Sequence, residues 1–254
     1  MPAKALVTGA SGGLGLEFAK LLAQAGYDVT LAARSAEKLE AAAEDLRTRF
    51  GIDAHPISID LAQPGAADRL FAQVPSCDVL VNNAGFANNG TFYALERGAI
   101  DQEMQLDVVT LTQLCRLYLP GMVTRNDGKI LNVASTAGFL PGPNMAVYYA
   151  SKAYVISFSE ALAEELTKTN VSVTVLCPGA TETGFPDRAN MRSTVLGRLP
   201  LAGAAGVAKA GFNGMMSGKR VVIPGISNKL VALSPKITPR RLLVWVSGRA
   251  VRRK

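Results

Sequence analysis

With 254 residues, a mass of 26.7 kDa and 48% hydrophobic residues, the chain can bury one large core, and no linker-like stretch divides it; a single domain over residues 1–254 is expected. The net charge of +7 is concentrated: residues 225–254 carry eight basic residues (Lys229, Lys236, Arg240, Arg241, Arg249, Arg252, Arg253, Lys254) and no acidic one, leaving −1 for the rest, so a nucleic-acid-binding surface over the whole domain is excluded. Three widely spaced cysteines (Cys77, Cys115, Cys177) match no metal spacing, and the single histidine, His55, excludes chemistry that needs two.

The start, Met1-Pro2-Ala3-Lys4, runs into ALVTG without room for a signal peptide, and no apolar run reaches a membrane span, so a cytoplasmic protein with reduced thiols is expected. Lys4 to Thr8 reads as a short buried strand. The turn TGASGGLG follows, with Gly9, Gly12, Gly13 and Gly15, and then a helix whose apolar residues Leu14, Phe18, Leu21, Leu22 and Ala25 recur at helical spacing before Gly26 ends it. Strand, glycine turn and helix aim helix N-terminal amides at a phosphate, although such a loop alone also fits a tight turn.

Strand and helix then alternate: strand 28–33, helix 36–50, strand 54–59, helix 66–74, a strand in CDVLVNNAG from Cys77, a long helix from about 100 to 124, strand 129–134, helix 147–168 and strand 172–177. Residues 179–200 show no period and read as a long functional loop, followed by a helix over 203–216 and a strand over 220–223. Repeated βα units with Val, Ile, Leu and Ala strands predict a parallel sheet covered on both faces. Within the 147–168 helix, Tyr148 and Lys152 are four apart and share a face, where the cation favours phenolate.

The motifs together resemble the single-domain short-chain dehydrogenase/reductase family: TGASGGLG at 8–15, NNAG at 82–85, Ser135 thirteen residues before Tyr148, YYASK at 148–152 and Pro178-Gly179, all in order between Lys4 and Phe185. The glycine loop also satisfies the spacing of longer, epimerase-type relatives through Gly12, and the short C-terminal part argues against that branch. The resemblance implies an α/β, doubly wound Rossmann-like parallel sheet of about seven strands with helices on both faces.

It further implies that Tyr148 is the general acid/base, that Lys152 lowers its pKa and holds the nicotinamide ribose, and that Ser135 hydrogen-bonds the substrate oxygen. A free tyrosine is a poor proton partner near pH 7, so its pKa must fall by about 2 to 3 pH units, worth roughly 3 to 4 kcal/mol. Where the family carries an asparagine that completes a proton relay from the lysine, this chain has Asp107 in LDVVTLT. Three readings stand: retuned activity, a slow or dead enzyme, or a different position for the relay residue.

The family's cofactor contacts map onto Gly9, Ser11, Gly13, Leu14 and Gly15 in the loop, Asp60 at the adenine, Asn82, Ala84 and Gly85 along the adenosine, and Pro178, Gly179, Thr181 and Thr183 toward the nicotinamide. At the end of the second strand an acidic residue would hold the ribose hydroxyl of NAD; here Ala33 precedes Arg34 and Ser35, so NADP(H) is expected, with its phosphate on Arg34, Ser11 and Ser35.

The substrate pocket is expected from 138–147, 185–199 and 86–92, lined by Phe86, Phe92, Phe139, Leu140, Phe185, Met191 and Leu196, with Tyr149 in packing. That composition points to a small apolar ketone, aldehyde or alcohol substrate. The tail at about 225–254 reads either as a basic amphipathic helix on an anionic membrane or as a helix packed over the substrate loop with solvated basic ends. A homodimer or homotetramer through the two long helices is implied by the family alone. The reading is an NADP(H)-dependent carbonyl reductase; the alternative is a catalytically impaired NADP-binding regulator or scaffold.

Overall fold

In the computed structural model, which describes residues 2–184, 194 and 201–252, the apolar runs become parallel strands buried on both faces. They are β1 (Lys4–Thr8), β2 (Asp28–Ala33), β3 (Ala54–Ser58), β4 (Val79–Asn82), β5 (Gly128–Val133) and β6 (Val171–Leu176). Two short strands, β7 (Thr181–Glu182) and β8 (Ala202–Gly203), pair with each other apart from the sheet, and β9 (Val221–Val222) completes it. The order is β3-β2-β1-β4-β5-β6-β9, and every pairing is parallel.

Alternation along β1 shows how the sheet divides the core. Ala5 and Val7 join Phe18 and Leu22 of α1 (Gly13–Gln24) and Leu39 and Leu46 of α2 (Ala36–Phe50) on one face. Leu6 joins Leu70 of α3 (Ala66–Gln73) and, farther along the chain, Leu114 and Val155 on the other. Each fully buried Leu or Phe contributes about 1.5–3 kcal/mol, so the sheet is fixed from both sides. Gly26 adopts φ +84, and the Gly26 and Tyr27 amides donate back to Ala23 and Leu22, closing α1 where the glycine predicted.

The predicted long helix at 100–124 is not one regular helix. It is α4 (Arg97–Met104), a π-helical stretch (Gln105–Thr110) and α5 (Leu111–Arg125). Next come α6 (Ala146–Glu165), α7 (Ala204–Met216), and the tail, which folds as α8 (Ile226–Leu233), a short 3-10 turn (Ser234–Lys236) and α9 (Arg240–Val251). Among the described residues no helix is long and apolar enough to cross a membrane.

The strand order reverses between β1 and β4. Crevices at such a switch point open at the carboxyl ends of the strands, which places Gly9 and Asn83-Ala84-Gly85 side by side.

Candidate active site

One cavity of about 1500 Å³ runs from that crevice across the ends of β5 and β6. At its first end Gly9, Ser11, Gly12, Gly13 and Leu14 face it, with Arg34, Ser35 and Lys38 beyond β2 and Asp60 beyond β3. Gly9 has φ +69, and a Cβ there would lie 2.7 Å from Asn83 Nδ2, so the turn needs glycine twice over. Helix α1 begins at Gly12 with no side-chain cap and no acidic residue in its first turn, leaving its N-terminal amides for an anion. An uncapped helix start, a side-chain-free approach and the cations Arg34 and Lys38 fit the phosphates of a nicotinamide dinucleotide. The Asp60 carboxylate is held by the Ala62 amide (3.0 Å) and the Gln63 side chain (3.3 Å).

Midway along the cavity stand Ser135, Tyr148 and Lys152. Helical spacing puts Tyr148 and Lys152 on one buried face of α6, with Lys152 Nζ 5.5 Å from the Tyr148 ring centroid. Ser135 Oγ accepts from the Ala137 amide (3.1 Å), and its hydrogen bond with Tyr148 favours the phenolate. Lys152 Nζ also lies 3.0 Å from Asp107 Oδ2 and donates to the Val133 carbonyl at 3.4 Å.

Asp107 is thus the carboxylate behind the lysine, carried there by the π-helical stretch. Its Oδ1 accepts from the Phe86 amide at 3.2 Å. A Cβ on Gly85 would lie 2.9 Å from Asp107 Oδ1 and 3.2 Å from Lys152 Nζ, which explains why NNAG must end in glycine. Burial pushes the Asp107 carboxyl above the usual range, while the Lys152 ammonium pulls it back.

The expected fall in the Tyr148 pKa is not produced by the protein's own groups. Burial raises it, and the Asp107 charge raises it further, against the pull of Ser135. Burial is the main cause, and Lys152, matched at 3.0 Å by Asp107, sets no unbalanced positive charge beside the phenol to offset it.

One helical turn before Asp107, Glu103 is also buried. Its Oε2 accepts from the Asn88 amide (3.0 Å) and side chain (2.7 Å), and burial raises its pKa to about 7, with the Asp107 charge adding to the rise. Two carboxyl groups and one ammonium therefore share this interior. Glu103 was not singled out from sequence, although its separation of four residues from Asp107 was a readable sign of a shared face.

The far end of the cavity is apolar: Phe86, Leu140, Met145 and Tyr149, joined by Leu230 and Val231 of α8 and Leu243 and Val246 of α9. The tail is attached there. Ser247 Oγ donates to the Pro141 and Leu243 carbonyls, Asn89 Nδ2 donates to the Val251 carbonyl at 3.1 Å, and Val251 packs with Met145, Tyr148 and Tyr149.

Most sequence-predicted residues meet along this cavity: Gly9, Ser11, Gly13, Leu14, Arg34, Ser35, Asp60, Ala84, Gly85, Ser135, Tyr148, Lys152, Pro178, Gly179, Thr181 and Thr183 all face it. Asn82 does not; it is 3% exposed and donates to Asn132 Oδ1 (2.9 Å) in the core, because it still belongs to β4. Its neighbour Asn83 takes the place, donating to the Thr8 carbonyl at 2.9 Å. Gly15 also lies off the cavity and acts by packing, since a Cβ there would overlap the Gly9 carbonyl.

Tyr149 packs against Gly142 as expected, but it also lines the cavity. Phe92 is exposed and Phe139 packs in the core, so neither lines it. Phe185, Met191 and Leu196 lie outside the described residues. Lys38 was missed, and of the two readings of the tail its packing on the protein is what brings Leu230, Val231, Leu243 and Val246 into the wall.

The sequence pattern of the short chain dehydrogenase family matches residues 3–193. A very-long-chain 3-oxoacyl-CoA reductase of Rattus norvegicus is 33% identical over 180 residues, 68% of this chain but 58% of that protein, so the chain spans little more than half of that relative's length. Nodulation protein G of Rhizobium sp. (strain N33) is 32% identical over 199 residues, 78% of this chain and 81% of that one. A solved short-chain dehydrogenase from Sphingobium yanoikuyae in complex with NADPH superposes with a TM-score of 0.84 at 30% identity, covering 93% of each chain. The bulky-bulky ketone specific alcohol dehydrogenase from Comamonas testosteroni gives 0.79 at 26% identity, over 93% of this chain and 92% of that one.

Proposed function

The chain belongs to the short-chain dehydrogenase family of oxidoreductases, and we propose that it works as an NADP(H)-dependent carbonyl reductase on apolar ketones or aldehydes. One observation carries the reading: Tyr148, with Ser135 and Lys152 beside it, faces a cavity whose far end is apolar and whose near end ends on Arg34 and Lys38. A nicotinamide, when bound, supplies the hydride.

The chain's own residues supply the rest. Ser135 donates to the substrate oxygen and Tyr148 gives it a proton, a task suited to a phenol that keeps its proton until charge develops on the acceptor. Lys152 and Asp107 then stand behind Tyr148 to return the proton. Arg34, Ser35, Ser11 and Lys38 take the phosphate that distinguishes NADP from NAD, and the NADPH carried by the Sphingobium relative supports that choice. The apolar Leu140, Met145, Leu243 and Val246 favour a hydrophobic substrate, and the bulky-bulky ketone named for the Comamonas enzyme supports a ketone.

Pairing of protomers through α5 and α6 into a dimer or tetramer is part of the proposal, supported by the exposed Val123 and Tyr154 on those helices. So are a cytoplasmic location and peripheral membrane contact through the tail. The second reading, an NADP-binding scaffold, draws on the Asp107–Lys152 pair, which neutralises the cation meant for Tyr148.

The deciding experiment follows NADPH oxidation with a panel of apolar carbonyls for the wild type and Tyr148→Phe. The reductase reading expects a loss of about 10²–10⁴-fold in kcat with NADPH binding unchanged. NADPH binding without turnover of any carbonyl by the wild type would establish the scaffold.

A further inference from the structure

We infer that α8 and α9 form a face that docks on an anionic bilayer and opens the substrate end of the cavity onto it, so that the enzyme draws its carbonyl substrate from the lipid. The inference rests on the reductase reading and on the tail as a membrane contact, and it goes beyond both by assigning the route and the physical state of the substrate.

Beside their exposed cations, both helices turn large apolar side chains outward where a surface helix normally shows polar ones. Among its residues α8 buries none fully, and Ile226, Leu230 and Leu233 form an i, i+4, i+7 stripe exposed by 79%, 63% and 50%. Helix α9 attaches by one stripe, Leu243, Ser247 and Val251, and turns a second stripe outward: Leu242, Trp245 and Val246, with Trp245 55% exposed. Between the helices Ile237 is 86% exposed. The result is an apolar surface on two adjacent elements rather than scattered single side chains.

Charge selects the occupant. Lys229, Lys236, Arg240, Arg241, Arg249 and Arg252 stand on this segment, which has no acidic residue. The Arg249 guanidinium lies 4.1 Å from the Trp245 ring centroid, an amphipathic pairing suited to the depth where headgroups meet acyl chains. A second copy on the same face would set these cations against themselves across a two-fold axis, with no acid to answer them. Anionic lipid matches both the cations and the apolar stripes.

The link to catalysis is that the outer face and the cavity wall share residues. Leu230, Val231 and Val246 line the cavity while remaining exposed. The rim of the substrate end is therefore apolar where the docking face is apolar. A lipid-dissolved carbonyl compound can pass from bilayer to Tyr148 along side chains of its own polarity.

Trp245 is the chain's one tryptophan, so its fluorescence reports docking directly. With the full chain, vesicles of phosphatidylglycerol and phosphatidylcholine in equal parts should shift its emission to the blue. Lipids brominated on the acyl chains should quench it, raised salt should reverse the effect, and pure phosphatidylcholine should give none. Unchanged emission on the anionic vesicles overturns the docking. Emission already blue-shifted without lipid, and moving red on dilution, makes the face a contact between copies and overturns it as well.

Delivery is read separately, by NADPH oxidation with methyl dodecyl ketone dissolved in the vesicles and with cyclohexanone in water. Anionic vesicles should raise kcat/KM for the long ketone by about tenfold or more over neutral ones, because co-localisation raises effective concentration. Cyclohexanone turnover should not change. Ile226→Glu combined with Leu242→Glu, neither of which lines the cavity, should abolish the vesicle gain and keep the cyclohexanone rate. Docking with no gain overturns delivery while leaving the reductase intact. Inactivity toward both ketones overturns the reductase reading, and delivery with it, while the Trp245 signal still reports docking.

Discussion

The nucleotide end of the cavity is built from residues 9–14, 33–38, 59–62 and 83–85, each a loop at the carboxyl end of a neighbouring parallel strand. The substrate end instead gathers Phe86, Leu140, Met145 and Tyr149 with Leu230, Val231, Leu243 and Val246 from the far end of the chain. Backbone makes the first end, where glycines admit a ligand and amides face it. Side chains make the second, held by a few contacts such as Asn89 to Val251 and Ser247 to Pro141. An end built from backbone holds its ligand through the fold itself, whereas an end built in part from a docked tail can change its ligand through the tail.

Substitutions at one end should leave the other untouched, which is how the contrast can be broken. The largest effect is expected from Arg34→Glu: kcat/KM for NADPH should fall by about 100-fold relative to NADH, with the KM for the carbonyl substrate unchanged. At the other end Val246→Glu should raise the KM for an apolar ketone by about threefold, because a carboxylate replaces an aliphatic wall group that is only half-buried, with no change in the NADPH Kd. If either variant shifted both quantities, the two ends would be one coupled unit.

Between them sit the buried charges. Asp107→Asn removes the partner that matches Lys152 at 3.0 Å and the charge that raises Tyr148. The basic limb of the kcat/KM profile should move to lower pH, by about one pH unit. A profile that stays in place would remove Asp107 from the proton path.

The last effect is on stability. Burial raises the Glu103 pKa from 4.5 to about 7, so the folded chain binds that proton more tightly than the unfolded one. Its stabilising contribution is full below 4.5 and is lost as pH rises through 7, on the order of 3 kcal/mol. Glu103→Gln should flatten that dependence and exceed the wild type in stability at about pH 8, as read by urea unfolding.

What was legible in sequence was local. The glycine turn and the Tyr148–Lys152 pair depend on spacings within one turn or one helix, and both stand where those spacings put them. Asn82 and Asn83 show the limit: side chains alternate at a strand end, so one residue of uncertainty about where β4 stops exchanges a core amide for a site amide. The return of α9 onto Pro141 and Asn89 was less legible still. It joins segments more than a hundred residues apart whose patterns carry no common period, and a basic tail with apolar residues reads the same whether it covers a pocket or a membrane.

The π-helical stretch over Gln105–Thr110 gives the chain an unusual evolutionary lever. A π turn holds one residue more than an α turn, so one residue can be gained or lost there while α4 and α5 keep their faces on either side. Glu103 precedes the stretch and keeps its hold on Asn88, whereas Asp107 lies within it and is the acid whose direction such a change would reset. The carboxylate paired with Lys152 is therefore placed by the wide turn, and a lineage can move it without disturbing the helix on either side.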